Sequence, residues 1–218
     1  MIALIRYTFA IALHTQRYLA PVLLFMGLMG VLTVSGSGPL PPAYASSAGA
    51  LFICSTWLTV ALMSLDDAAQ RAIMVVTAGR SLKVLLAAIG TTLLSSLALM
   101  AVGLFLPLWL GSYDVRPVDL LLGTEAQLTC ALTGIAIGVL CSRPVFRRQG
   151  YALAAALALL MFAVFTKNLP PVNQLFRLMA TSTNSGELVA PAGRMLAVAA
   201  GVLVASTALT HCIAARKD

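Results

Sequence analysis

The chain is short of charge. Only 10% of its 218 residues are charged and 60% are hydrophobic, against about 25% and about 45–50% in soluble domains. So little polar surface cannot cover so large an apolar core, which excludes a water-soluble globule and makes the bilayer the solvent. Histidine is scarcer still, with only His14 and His211. No H-E-x-x-H motif, no G-x-S-x-G elbow and no membrane histidine pair for a haem can be drawn. Gly36-Ser37-Gly38 and Asn184-Ser185-Gly186 do not supply the nucleophile motif of an intramembrane serine protease. Cys54, Cys130, Cys141 and Cys212 form no C-x-x-C, which argues against thiol redox chemistry and leaves all four as buried small hydrophobes. No G-x-x-x-x-G-K-[ST] occurs, so no P-loop cradles a nucleotide. These absences point away from an enzyme, and no cofactor or metal site is read from the sequence.

What is present is a series of apolar runs with short connections, leaving no room for a separate soluble domain. Residues 1–17 hold an apolar run too short to span, broken by Arg6. On a helix Arg6, His14 and Arg17 share one stripe, with Leu4, Ile5, Ile11 and Ala12 roughly opposite. That pattern predicts an amphipathic helix lying on the membrane surface. Spans are then expected over residues 19–34, 48–65, 81–106, 120–141, 150–166 and 195–214. A breaker-rich stretch with three prolines and two glycines, residues 35–47, separates the first two. Pro107 marks an end or kink of the third, with Trp109 and Tyr113 suited to an interface. Residues 167–194 form the longest non-spanning stretch. Within it residues 169–179 mix prolines with apolar side chains, as a partly inserted or surface-lying turn of helix would, and residues 181–186 read as a flexible run. The fold class is therefore all-α: a polytopic membrane protein with six transmembrane helices and an N-terminal interfacial helix.

The net charge of +7 does not signal nucleic acid, because the basic residues flank the apolar runs. With a cytoplasmic N-terminus, Arg6, Arg17, Arg71, Arg80, Lys83, Arg143, Arg147, Arg148, Arg216 and Lys217 lie inside. Arg116, Lys167, Arg177 and Arg194 lie outside. That bias gives a plasma-membrane or inner-membrane protein with both termini cytoplasmic.

The most patterned connection is residues 64–83. Ser64 and Asp67 have the spacing of a capping box, and Asp67 with Arg71 that of a helical ion pair. Asp66, Gln70, Ile73 and Thr77 share one face, and Gly79 is placed to end the helix. This predicts a short cytoplasmic helix offering both polar and apolar groups to a partner; the plainer reading is a linker kept soluble by its charges. Glu125 is the acidic residue read inside a span, about five residues or 8 Å into it. It is either a polar contact in a substrate path or helix junction, or a carboxylate snorkelling to the outer interface. In the same span Gly134 and Gly138 form a small-x-x-x-small pair that permits close helix approach. No second membrane carboxylate and no repeat of the two halves supports a proton-coupled carrier.

This arrangement resembles the ABC type-2 permeases, the membrane subunits of ATP-binding-cassette exporters. The resemblance spans residues 1–218 as one permease domain, with an N-terminal amphipathic helix at 1–17, a cytoplasmic loop at 64–83 and an external segment at 167–194. Its sharpest local match is DDAAQRAIMVVTAGRSLKVLLA, residues 66–87; the family's usual Glu-x-x-x-Gly-Thr wording is absent. The resemblance implies that Asp66, Asp67, Gln70, Arg71 and Ile73 form a coupling helix docked on a separate ATP-binding subunit. It also implies a second permease copy or paralogue, short re-entrant helices in the external segment, and an apolar or amphipathic cargo. A membrane assembly factor or immunity protein that binds a partner without transport is the alternative from a different class.

Overall fold

Within a bilayer no water satisfies the backbone, so each apolar run must close its own hydrogen bonds as a helix. A computed structural model of the chain describes residues 2–34, 37–38, 40–65, 74, 76, 81–110, 112–113, 116–142, 149–166, 169–181 and 185–215. Among these residues it contains eight helices: α1 (Ile2–Thr15), α2 (Leu19–Val34), α3 (Leu40–Met63), α4 (Ser81–Leu110), α5 (Pro117–Leu140), α6 (Gln149–Phe165), α7 (Val172–Thr181) and α8 (Ser185–Ala215). The fold is all-α apart from a two-residue parallel bridge, Ser37–Gly38 with Ser112–Tyr113. Helices α3, α4, α5 and α8 are each long and apolar enough to cross a membrane. The bent pair α1–α2 makes a fifth if counted as one span, and α6 is apolar but shorter. The chain is a multi-pass helical membrane protein.

Three boundaries differ from the sequence expectation. Helix α3 starts at Leu40, inside the breaker-rich stretch, because Pro41 and Pro42 fall in its first turn where no intrahelical N–H is lost. Helix α4 continues through Pro107 to Leu110. Helix α8 begins at Ser185 and carries Pro191 in its interior. Its 31 residues rise about 46 Å, well over the roughly 30 Å hydrocarbon core. Tilt or an end outside the apolar layer must absorb the excess, and Arg194 near its start is exposed.

Local contacts sort the connections into two ends. At one, the Ser37–Ser112 pairing joins the α2–α3 and α4–α5 connections. There α7 also seats Phe176 over Gly49, near the start of α3. Val172, Leu175 and Met179 on α7 are buried in one cluster with Leu40, Tyr44, Leu188 and Ala192. Asn173 Nδ2 donates to the Val164 carbonyl at the end of α6, 2.6 Å away. At the other end Arg17, exposed between α1 and α2, donates to the Ser64 carbonyl at 3.4 Å. There the chain turns 76° between α1 and α2, and Gln16 takes a left-handed φ of 54° to make the turn.

Residues 66–67, 70–71 and 73, which carry the expected coupling helix, lie outside the described residues. Ser64, the expected cap, follows the last residue of α3, and its hydroxyl donates to the Ala61 carbonyl at 2.8 Å. Asp67, the other half of the expected capping box, lies outside the described residues, and Met74 and Val76 further along the stretch are helical.

Candidate functional site

The centre of the bundle is the seam between α3 and α5. In their most apolar stretches 67% and 61% of residues are buried, against 17% in α8, so α8 flanks this pair. The seam is close because α5 presents glycine to α3 at three positions, Gly123, Gly134 and Gly138. A Cβ on Gly123 would stand 2.7 Å from the Tyr44 ring. One on Gly134 would meet Ser55 Oγ and, at 2.8 Å, the Phe52 carbonyl. One on Gly138 would collide with Thr59. The α3 hydroxyls tolerate this approach because each is satisfied within its own helix. Ser55 and Thr56 donate to the Phe52 carbonyl at 3.1 and 2.8 Å, and Thr59 donates to that of Ser55 at 2.6 Å. Gly134 and Gly138 thus do what their spacing predicts.

A polar relay crosses this seam. Gln127 is fully buried; its Nε2 donates to Ser47 Oγ at 3.0 Å, and Ser47 donates to the Tyr44 carbonyl at 3.1 Å. The Tyr44 hydroxyl points to the Leu104 carbonyl of α4 at 3.5 Å. A side chain on Gly103 of α4 would stand 2.9 Å from Gln127 Nε2, so Gly103 makes room for the amide. Gln127, which sequence reading missed, ties α5 to α3, and Tyr44 ties α3 to α4. Gln127 lies in an apolar run, and only its four-residue offset from Gly123 on the same face hints at its place.

Glu125 occupies the other side of α5. Eight residues past Pro117, it lies about 12 Å along the helix, deeper than the sequence boundary implies because α5 begins at Pro117. Its Oε1 is 3.6 Å from where a Cβ would stand on Gly193, so it faces α8. Its Oε2 is buried with no hydrogen-bond partner among the described residues. Asp119 is also within α5, in its first turn, where its Oδ2 accepts the Arg116 N–H at 3.1 Å and its charge complements the helix N-terminus. Glu187 holds the matching position in α8.

Three of the four cysteines, Cys54, Cys130 and Cys141, are buried, whereas Cys212 is exposed, contrary to the reading of all four as buried. Among the described residues no three His, Cys, Asp or Glu side chains come together as a metal site. The described surface includes an apolar hollow of about 220 Å³ between α2, α3 and α6, and one of about 530 Å³ between α1, α2, α3 and α4. Comparison with protein-family models, with curated proteins and with solved structures found no match in any of the three.

Proposed function

We propose that the chain is the permease subunit of an ATP-binding-cassette exporter, moving an apolar or amphipathic cargo with ATP hydrolysed by a separate subunit. The observation that carries this reading is α7. The longest connection, between the fifth and sixth apolar helices, folds into a ten-residue helix with Val172, Leu175 and Met179 buried against the bundle. A short inserted helix there matches the external segment of type-2 permeases. The sorting of the α2–α3, α4–α5 and α6–α8 connections to one end, opposite the Arg17–Ser64 contact, supports the same topology.

In this reading α2, α3, α4, α5, α6 and α8 are six spans and α1 lies in the interface. Helix α2, with 16 residues, rises about 24 Å; local thinning of the bilayer accommodates so short a span. The ten-to-four split of basic residues puts both termini in the cytoplasm of the plasma or inner membrane. Paired ATPases closing on residues 64–83 of this chain and of a second permease copy or paralogue would rock the spans between inward- and outward-facing arrangements. Glu125, at the α5–α8 junction, is the candidate polar contact on the path.

The test is association. An ATPase copurifies with the chain, and Ile73→Asp weakens that complex. Burial of an isoleucine contributes roughly 1.5–3 kcal/mol, so a charge in its place costs at least about tenfold in affinity. ATPase recovery and substrate-stimulated hydrolysis fall while expression persists. Full complex formation by Ile73→Asp refutes the docking face; an intact wild-type chain with no ATPase partner refutes the permease reading and favours the assembly or immunity protein.

A further inference from the structure

The larger hollow is walled by Ile5, Phe9 and Leu13 of α1, Leu58 and Leu62 of α3, and Leu99 of α4. It exists because α1 turns 76° away from α2 and lies back against α4. Gly90 permits that seating, since a Cβ there would stand 3.2 Å from Ile5 Cδ1. At about 530 Å³ it falls in the range of small-molecule sites. It is not sealed: Leu13 and Leu94, which line it, are 48% and 52% exposed. Among the described lining residues only Arg6 is charged. The sequence has no Asp or Glu before Asp66, so α1, α2 and α3 offer Arg6 no carboxylate. An open apolar hollow beside a basic side chain, in a protein solvated by lipid, is complementary to one kind of molecule.

We propose that this cleft binds one acyl chain of an anionic phospholipid, whose headgroup phosphate is held by Arg6. Apolar walls on four helices take the tail. The guanidinium offers paired N–H donors to phosphate oxygens in a geometry that a zwitterionic lipid meets with no net charge gain. The lipid bridges α1 to the α3–α4 wall and so fixes the α1–α2 turn. The proposal does not rest on the permease reading; it requires only that the chain sits in a bilayer.

The probe is a phospholipid with a photoreactive diazirine in its acyl chain. The full chain is reconstituted in phosphatidylcholine vesicles doped with either the phosphatidylglycerol or the phosphatidylcholine form, irradiated, and its peptides mapped. Phosphatidylglycerol should label the cleft segments of α1 and α4 about fivefold more than phosphatidylcholine does, the preference that one basic residue near an anionic headgroup supplies. Arg6→Gln should remove the preference and Arg6→Lys should keep most of it. Ala98→Trp, which fills the hollow from an exposed lining position, should abolish cleft labelling by both lipids. Ala158→Trp, on an exposed position of α6, should leave it unchanged. Equal labelling by the two lipids, or label spread over α6 and α8 as densely as over the cleft, would overturn the proposal.

Discussion

Alanine at four glycines should separate the packed seam from the open faces of the bundle. At Gly134 the new methyl meets Ser55 Oγ, the Phe52 carbonyl at 2.8 Å and Thr56 Oγ1 at 3.0 Å. At Gly138 it meets Thr59 and, at 3.0 Å, the Thr56 carbonyl. Two of these obstacles are backbone atoms, which no rotamer change removes, so α3 and α5 must move apart. Overpacking of this kind costs about 1–3 kcal/mol. At Gly27 and Gly201 an added Cβ has no heavy atom within 4 Å, and only the helix preference for alanine over glycine acts, about 0.5–1 kcal/mol in favour. That preference is common to all four sites, so the difference between the pairs isolates the collision. Thermal unfolding in a neutral detergent, followed by the accessibility of buried thiols, should place Gly134→Ala and Gly138→Ala below Gly27→Ala and Gly201→Ala. The gap should be about 2–4 °C for each kcal/mol of difference. The result that refutes this reasoning is a common shift for all four, because the α3–α5 seam would then not be closed against a methyl group.

The two-ended arrangement predicts a labelling pattern that needs only Cys212→Ser as background, since the other three thiols are buried. Arg116→Cys and Gly186→Cys, both exposed, should react with an impermeant maleimide from outside, while Gln16→Cys and Gly150→Cys should react only after permeabilisation; any exchange between the two sets sinks the topology. For Glu125, if its carboxylate serves transport, Glu125→Gln should lower export by about tenfold, a change of about 1.4 kcal/mol in the transport barrier, with membrane abundance unaltered. Normal export at normal abundance would reduce Glu125 to a packing contact with Gly193.

The parts of this fold that were legible in the sequence are those whose cause is local. The run 19–34 became α2 with the same limits, and the run 120–141 became α5 within a few residues, because a long apolar stretch in lipid has no alternative to helix. Gly134 and Gly138 announced a close approach, since spacing alone puts both on one face. Proline was less informative. Pro41 and Pro42 looked like breakers, yet a helix start accepts them, and Pro107 and Pro191 lie inside helices. Counting breakers does not say at which turn of a helix they will fall.

Gln127 shows why the site itself was harder to see. Glu125 drew notice because a charge inside an apolar run is expensive wherever it points. An amide two residues on is tolerable beside other polar groups and costly against lipid, and periodicity cannot tell these apart. Its donor bond goes to Ser47, 80 residues away, and its space comes from Gly103 on a third helix. The same holds for the α1–α4 hollow, whose walls join residues 5–22 to 58–62 and 94–99. Helix existence follows from each run taken alone, whereas sites in a bundle are made where faces of distant runs meet. What a single sequence can mark in advance is the residue with no neutral alternative, a buried charge or a glycine; the amide, the serine and the hollow between them become visible only when the faces are paired.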